Sequence, residues 1–118
     1  MDSATSYLGQ LVTVEIDRPL DSRHPKHGFR YELNYGYVPG TMAGVGEVLD
    51  AYIIGVSEPL KQFRGRCLVV IHRTDDNDDK LVVVPDGFRE VSDEEIRKLT
   101  LFQEQFFHSA IVRERPPS

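Results

Sequence analysis

The chain has 118 residues, 40% of them hydrophobic, enough for one modest core, and reads as a single domain over 1–118 with a loose tail, RERPPS, at 113–118. Nineteen acidic residues against fourteen basic ones give a net charge of −5, which argues against a nucleic-acid surface or an anionic-membrane binder. Cys67 is the only cysteine, which excludes an internal disulfide and a cysteine-type zinc site; no apolar stretch approaches the roughly 18 residues of a membrane span, MDSATSYLGQ lacks secretory character, and the cytoplasm is the expected location.

In chain order, QLVTVEI (10–16) alternates apolar and polar side chains as a half-buried strand does. A loop, DRPLDSRHPKHG (17–28), follows. FRYELNYGYVPG (29–40) is aromatic and extended, and Pro39-Gly40 ends it as a turn. LDAYIIGV (49–56), GRCLVVIHR (65–73) and KLVVVP (80–85) supply three more strands, separated by SEPLKQF (57–63) and by the acidic RTDDNDDK (73–80).

SDEEIRKLTLFQEQFF (92–107) changes period: Ile96, Leu99, Phe102 and Phe106 fall on one helical face and predict core packing. Ser92 with Glu95 forms a capping box, and Asp93 and Glu94 suit the positive end of the helix dipole. The expected fold is mainly β within the α+β class. It is a small, five-stranded, closed, OB-like barrel with one C-terminal helix packed against it.

RTDDNDDK places four aspartates between two apolar strands, which suits either a solvated turn or a trap for hard cations. A second acidic group lies in GVGEVLDAY (44–52), where Glu47 and Asp50 follow a glycine turn. If the strands are neighbours, Asp50 meets Asp75 and Asp78, and Glu15 extends the acidic wall. Arg18, Arg23, Lys26, Arg73 and Lys80 are the cations available to face it. Carboxylates opposite fixed cations are the layout that metals and phosphates share.

Other motifs fail. The calcium-loop pattern starting at Asp75 has Lys80 where glycine is needed. In HPKH (24–27) a proline breaks the helical turn that would align two histidine ligands, so Lys26 reads as a phosphate contact. There is no Ser-His-Asp signature, phosphate loop or dinucleotide glycine pattern.

YELNYGYVPGTMAGVGEVLDAYIIG followed by VVIHRTDDNDDKLVVVP resembles the core of the soluble inorganic pyrophosphatases over roughly Glu15 to Pro85. The order and spacing of the N-Y-G-Y segment, the acidic turn and the aspartate-rich loop carry the resemblance. The chain is much shorter than typical members. The resemblance implies a five-stranded barrel with flanking helices and magnesium-dependent hydrolysis of pyrophosphate to two phosphates, with manganese as an alternative metal.

Taken residue by residue, the resemblance makes Asp50 a metal-bridging carboxylate, Asp75 and Asp78 the metal aspartates of the acidic loop, with Asp79 the substitute for Asp78 because the loop is one residue short, and Glu15 a ligand to an additional metal. Lys80, Arg23 and Tyr35 match phosphate-site residues, with Lys26 the substitute for Arg23 if the loop register shifts. Glu47 stands where an aspartate helps to deprotonate the attacking water, and Glu47, Asp50 and Asp75 are the catalytic candidates. Val45 replaces one metal aspartate, and Phe106-Phe107 replaces a phosphate-holding Tyr-Lys pair.

Two alternatives stand beside pyrophosphate hydrolysis. One is the same mechanism on another phosphoanhydride or phosphate ester; the other is a noncatalytic binding domain of this fold. The expected partner is a small-molecule phosphate, with no nucleic acid and no membrane. Family members commonly form oligomers, and the apolar FFHSAIV (106–112) offers a surface for a homo-oligomer.

Overall fold

The computed structural model describes residues 4–41, 48–75, 78–88 and 90–113. A short 3-10 turn, Ala4–Tyr7, precedes β1 (Leu11–Arg18), β2 (Asn34–Val38), β3 (Leu49–Ile53), β4 (Gln62–Arg73) and β5 (Asp79–Val84); α1 (Asp93–Glu104) and β6 (Ser109–Val112) complete the order. β1, β2, β3, β5 and β4 pair in that sequence, and β4 pairs back with β1, closing a five-stranded barrel as expected. All pairings are antiparallel except β3 with β5, which run parallel.

Closure depends on the length of β4. Along one edge, Gln62 to Arg66 pair with Glu15 to Leu11 of β1, and Val70 to Arg73 pair with Val112 to Ser109 of β6. One expectation is corrected here: Gln62 and Phe63, read as connecting segment, belong to β4. The 106–112 stretch contains a sixth strand that the sequence reading did not include. Ser109–Val112 pairs because the second half of β4 would otherwise leave its ladder groups unmet.

Side-chain alternation divides the apolar residues into two sets. Val12, Val14, Val38, Leu49, Ala51, Ile53, Leu81 and Val83 cluster with Cys67 and Val70. All five barrel strands contribute to this set, so it fills the interior. Cys67 and Val70 share a face despite their odd separation because a bulge lies between Cys67 and Val69. The second set, including Tyr35, Tyr52, Val69, Ile71, Val82 and Val84, meets Ile96 and Phe102 of α1 on the outer wall.

The helix starts as expected: Ser92 Oγ accepts the Glu95 N–H at 3.1 Å. Its buried face differs from the apolar stripe. Ile96, Thr100, Phe102, Gln103 and Glu104 are buried, Leu99 is half-buried, and Phe106 lies beyond the helix end with 58% of its surface exposed. The helix stops at Glu104, so the period that would have turned Phe106 inward is not continued. No helix among the described residues is long and apolar enough to cross a membrane.

Candidate active site

Because Leu49, Ala51 and Ile53 point into the barrel, Asp50 and Tyr52 point out of it. The parallel register sets Asp50 opposite Lys80, and Ile71 faces Lys80 from the other side. Lys80, Tyr35 and Arg73 therefore share the outer face with Asp50, beside the C-terminal end of α1. This face, outside the barrel, carries the site.

Lys80 is almost fully buried, and its ammonium donates to Asp50 Oδ2 at 2.6 Å and to Asp78 Oδ2 at 2.7 Å. Tyr35 donates its hydroxyl to the same Asp50 oxygen at 2.9 Å. Burial, and then the Asp50 charge, raise the Tyr35 pKa well above the ordinary phenol value, so the hydroxyl stays protonated. Asp78 and Lys80, two residues apart, lie on one face. Asp79, between them, turns to the opposite face and meets His72 Nδ1 at 2.6 Å.

A second network holds Arg73. Its Nε and Nη2 donate to Glu104 Oε1 and Oε2 at 3.1 and 2.7 Å, and its Nη1 lies 3.7 Å from Asp78 Oδ2. The guanidinium stacks over Phe107, 3.6 Å from the ring centroid. Burial alone would lower the Arg73 pKa, but hydrogen bonds and charge from Glu104 outweigh it and keep the group charged. Tyr52 donates to Glu104 at 2.5 Å, Gln103 donates to Tyr52 at 2.7 Å, and Tyr31 donates to Gln103 at 2.9 Å. Glu104 ends the helix, where a negative charge opposes the helix dipole; Arg73 removes that conflict.

Between this wall and the 17–28 loop opens a cavity of about 490 Å³, lined at its floor by Tyr35, Asp50 and Arg73 and at its side by Arg18. Arg18 reaches it because a bulge between Ile16 and Arg18 shifts the register and sets Arg18 opposite Tyr35. His24 and His27 also line it, their ring centroids 4.8 Å apart. Pro25 does not separate them: the chain turns tightly, with Gly28 N–H bonded to the His24 carbonyl. His24 Nδ1 accepts the N–H groups of Lys26 and His27, each at 3.1 Å, which assigns the proton of the neutral ring to Nε2.

Of the candidate residues, Tyr35, Asp50, Asp78 and Lys80 are brought together. Asp75 is exposed, and its Oδ2 accepts the His108 N–H at 3.1 Å. Glu15 lies on β1 with its carboxylate accepting from Gln62 at 2.6 Å. Arg23 donates to the Gly28 carbonyl, and Arg23 and Lys26 are both exposed. None of these four lines the cavity. Val45 and Glu47 lie outside the described residues, as do Asp76 and residues 114–118 of the expected tail.

Glu104 had a sequence signal that apolar periodicity overlooks. It lies eight residues after Ile96, on the same helical face, where a polar side chain needs a buried partner.

Among the described residues no group of three or more His, Cys, Asp or Glu side chains is arranged to hold a metal ion. Two carboxylates do converge on one cation, the Lys80 ammonium. A divalent ion bound through one or two carboxylates, substrate oxygens and water would find its carboxylates in Asp50 and Asp78, both of which here accept from Lys80.

Fold and site together define a mixed β-barrel protein with acids and cations paired at an outer pocket. The family model described as inorganic pyrophosphatase matches residues 11–112, and the chain belongs to the inorganic pyrophosphatase family. It is 30% identical over 109 residues to an inorganic pyrophosphatase of Pseudomonas aeruginosa, covering 82% of this chain and 62% of that protein. With inorganic pyrophosphatase 1 of Pseudomonas syringae pv. tomato it shares 32% over 82 residues, covering 63% and 47%. The chain thus spans about 62% and 47% of these two relatives.

Among solved structures, the inorganic pyrophosphatase of Ehrlichia chaffeensis aligns with a TM-score of 0.67 at 17% identity, covering 92% of this chain and 85% of that one. The corresponding protein of Coxiella burnetii aligns at 0.62 and 20% identity, covering 93% and 88%. At this identity the likeness is one of fold.

Proposed function

We propose that this protein hydrolyses inorganic pyrophosphate to two phosphates. The observation that carries the reading is the convergence of Asp50 and Asp78 on Lys80, next to a pocket whose cations are Arg18 and Arg73, in a chain of the pyrophosphatase family. Arg18, Arg73 and Lys80 would take the oxygens of the anionic substrate and offset the charge that builds on the departing phosphate. Tyr35 keeps its proton and anchors Asp50, which in turn orients Lys80. Water adds to one phosphorus as the bridging P–O bond breaks, and its proton passes to a carboxylate. Glu47 is the proposed acceptor.

Asp50 and Asp78 would hold magnesium, which when bound supplies charge neutralisation and a more acidic water. Asp75 and Glu15 are proposed as further ligands on the family resemblance, and Arg23 and Lys26 as outer phosphate contacts. The reading includes a cytoplasmic location, in keeping with Cys67 as a buried free thiol, and homo-oligomer formation.

The test is phosphate release from pyrophosphate with and without magnesium, for the native chain and Asp50→Asn. Expected is magnesium-dependent release that falls by roughly 100-fold or more in the variant, with its circular dichroism spectrum unchanged. Undiminished release from folded Asp50→Asn would refute the assignment.

A further inference from the structure

We propose that the pocket binds nucleoside 5′-di- and triphosphates, with the base stacked on Phe106 and the phosphates at Arg18 and Arg73. The inference rests on the hydrolase reading of the same site and names its substrate class.

The cavity has two chemically different ends. Its floor is charged, as described. Its rim is a wall of flat rings drawn from two elements, the 17–28 loop with Phe29, and the segment after α1. Phe106 lies near-parallel to Phe29, with centroids 5.8 Å apart and planes at 28°, and to His27, at 6.1 Å and 25°. His27 and Phe29 are within 5° of parallel. Phe106 is 58% exposed, so burial does not hold it there, and it lines the cavity.

Bare pyrophosphate has no use for such a wall, because each of its oxygens requires a donor and an aromatic face offers none. A purine or pyrimidine does, since stacking on aromatic rings is favourable for any base. Volume agrees: 490 Å³ lies within the range of about 300–1,000 Å³ typical of pockets that enclose organic ligands. Phe107 supports the charged end by stacking under Arg73, so the two successive aromatics serve the two halves of one ligand.

In the reaction, water adds to the terminal phosphorus and the bridging P–O bond breaks toward the nucleotide. The products are inorganic phosphate, the nucleotide shortened by one phosphate, and one proton.

The experiment is isothermal titration of the full chain with adenosine 5′-(β,γ-methylene)triphosphate and with tripolyphosphate, which lacks sugar and base. Pyrophosphate turnover is measured in parallel. Expected is nucleotide binding at least ten-fold tighter than tripolyphosphate, a roughly ten-fold rise in the nucleotide Kd in Phe106→Ala, and recovery in Phe106→Tyr. Equal affinity for the two ligands, or a nucleotide Kd unmoved by Phe106→Ala, would overturn the inference. Nucleotide binding decides this inference and pyrophosphate turnover decides the hydrolase reading, so the two failures are told apart.

Discussion

The Arg73–Glu104 pair shows what a buried charge requires. Both side chains are only 7% exposed, and Glu104 also accepts from Tyr52. Glu104→Gln keeps the shape but leaves the guanidinium uncompensated, and is expected to lower stability by about 3–5 kcal/mol in urea denaturation. Replacing both, Arg73→Met with Glu104→Leu, is expected to cost less than the two single changes added together. Strict additivity would show that the pair is not coupled.

His24 predicts a pH response. Burial, then the nearby positive charges of His27, Arg18 and Lys26, lower its pKa below the ordinary value of 6.5. Below pH 6.5 the unfolded chain therefore binds more protons at this site than the folded one. The stabilising contribution is present above 6.5 and is lost as pH falls toward the depressed folded value. An NMR titration of His24 should give a midpoint below 6.5; a midpoint above it would contradict the Nδ1 assignment.

At the scale of elements, β1 and β2 pack so closely that their pairing admits no side chain at Gly36. A Cβ there would lie 1.9 Å from the Glu15 carbonyl oxygen, which belongs to backbone and cannot swing aside. Gly36→Ala is expected to cost more than about 3 kcal/mol or to prevent folding. Gly40, at φ 81° and with open space around its Cβ position, makes the control: Gly40→Ala is expected to cost about 1–2 kcal/mol. Equal melting temperatures for the two variants would mean that β1 and β2 do not approach as described. The N-Y-G-Y segment thus has a structural rationale beyond Tyr35. Asn34 is fully buried and accepts the Leu20 and Leu60 N–H groups while donating to the Glu58 carbonyl, tying two connections to β2.

For the molecule as a whole, closure of the barrel and assembly of the site are one event, because both use β4. Its first half meets β1, and its second half carries Arg73 and meets β6. A chain ending at His108 would keep the barrel strands but expose the β4 edge from Val70 to Arg73. It is expected to lose about 2–4 kcal/mol and to self-associate, measured by urea denaturation and sedimentation. An unchanged urea midpoint would show that β6 is dispensable.

Alternating apolar residues made the barrel strands legible in the sequence, and Ser92, Glu95 and the helical period marked the start of α1, because such signals are local and repeat along the chain. Clustered aspartates pointed to Asp50 meeting Asp75 and Asp78; Asp50 and Asp78 do meet, at Lys80, whereas Asp75 turns to the His108 N–H. Three-dimensional structure decided what local pattern cannot carry: the bulge at Asp17 that brings Arg18 to Tyr35, the tight turn that sets His24 against His27, and the union of Arg73 with Glu104 across 31 residues. Each depends on which backbone groups find partners once the strands have closed. The sequence alone determined which residues could carry charge and stack, whereas the closed barrel decided which of them face the same pocket.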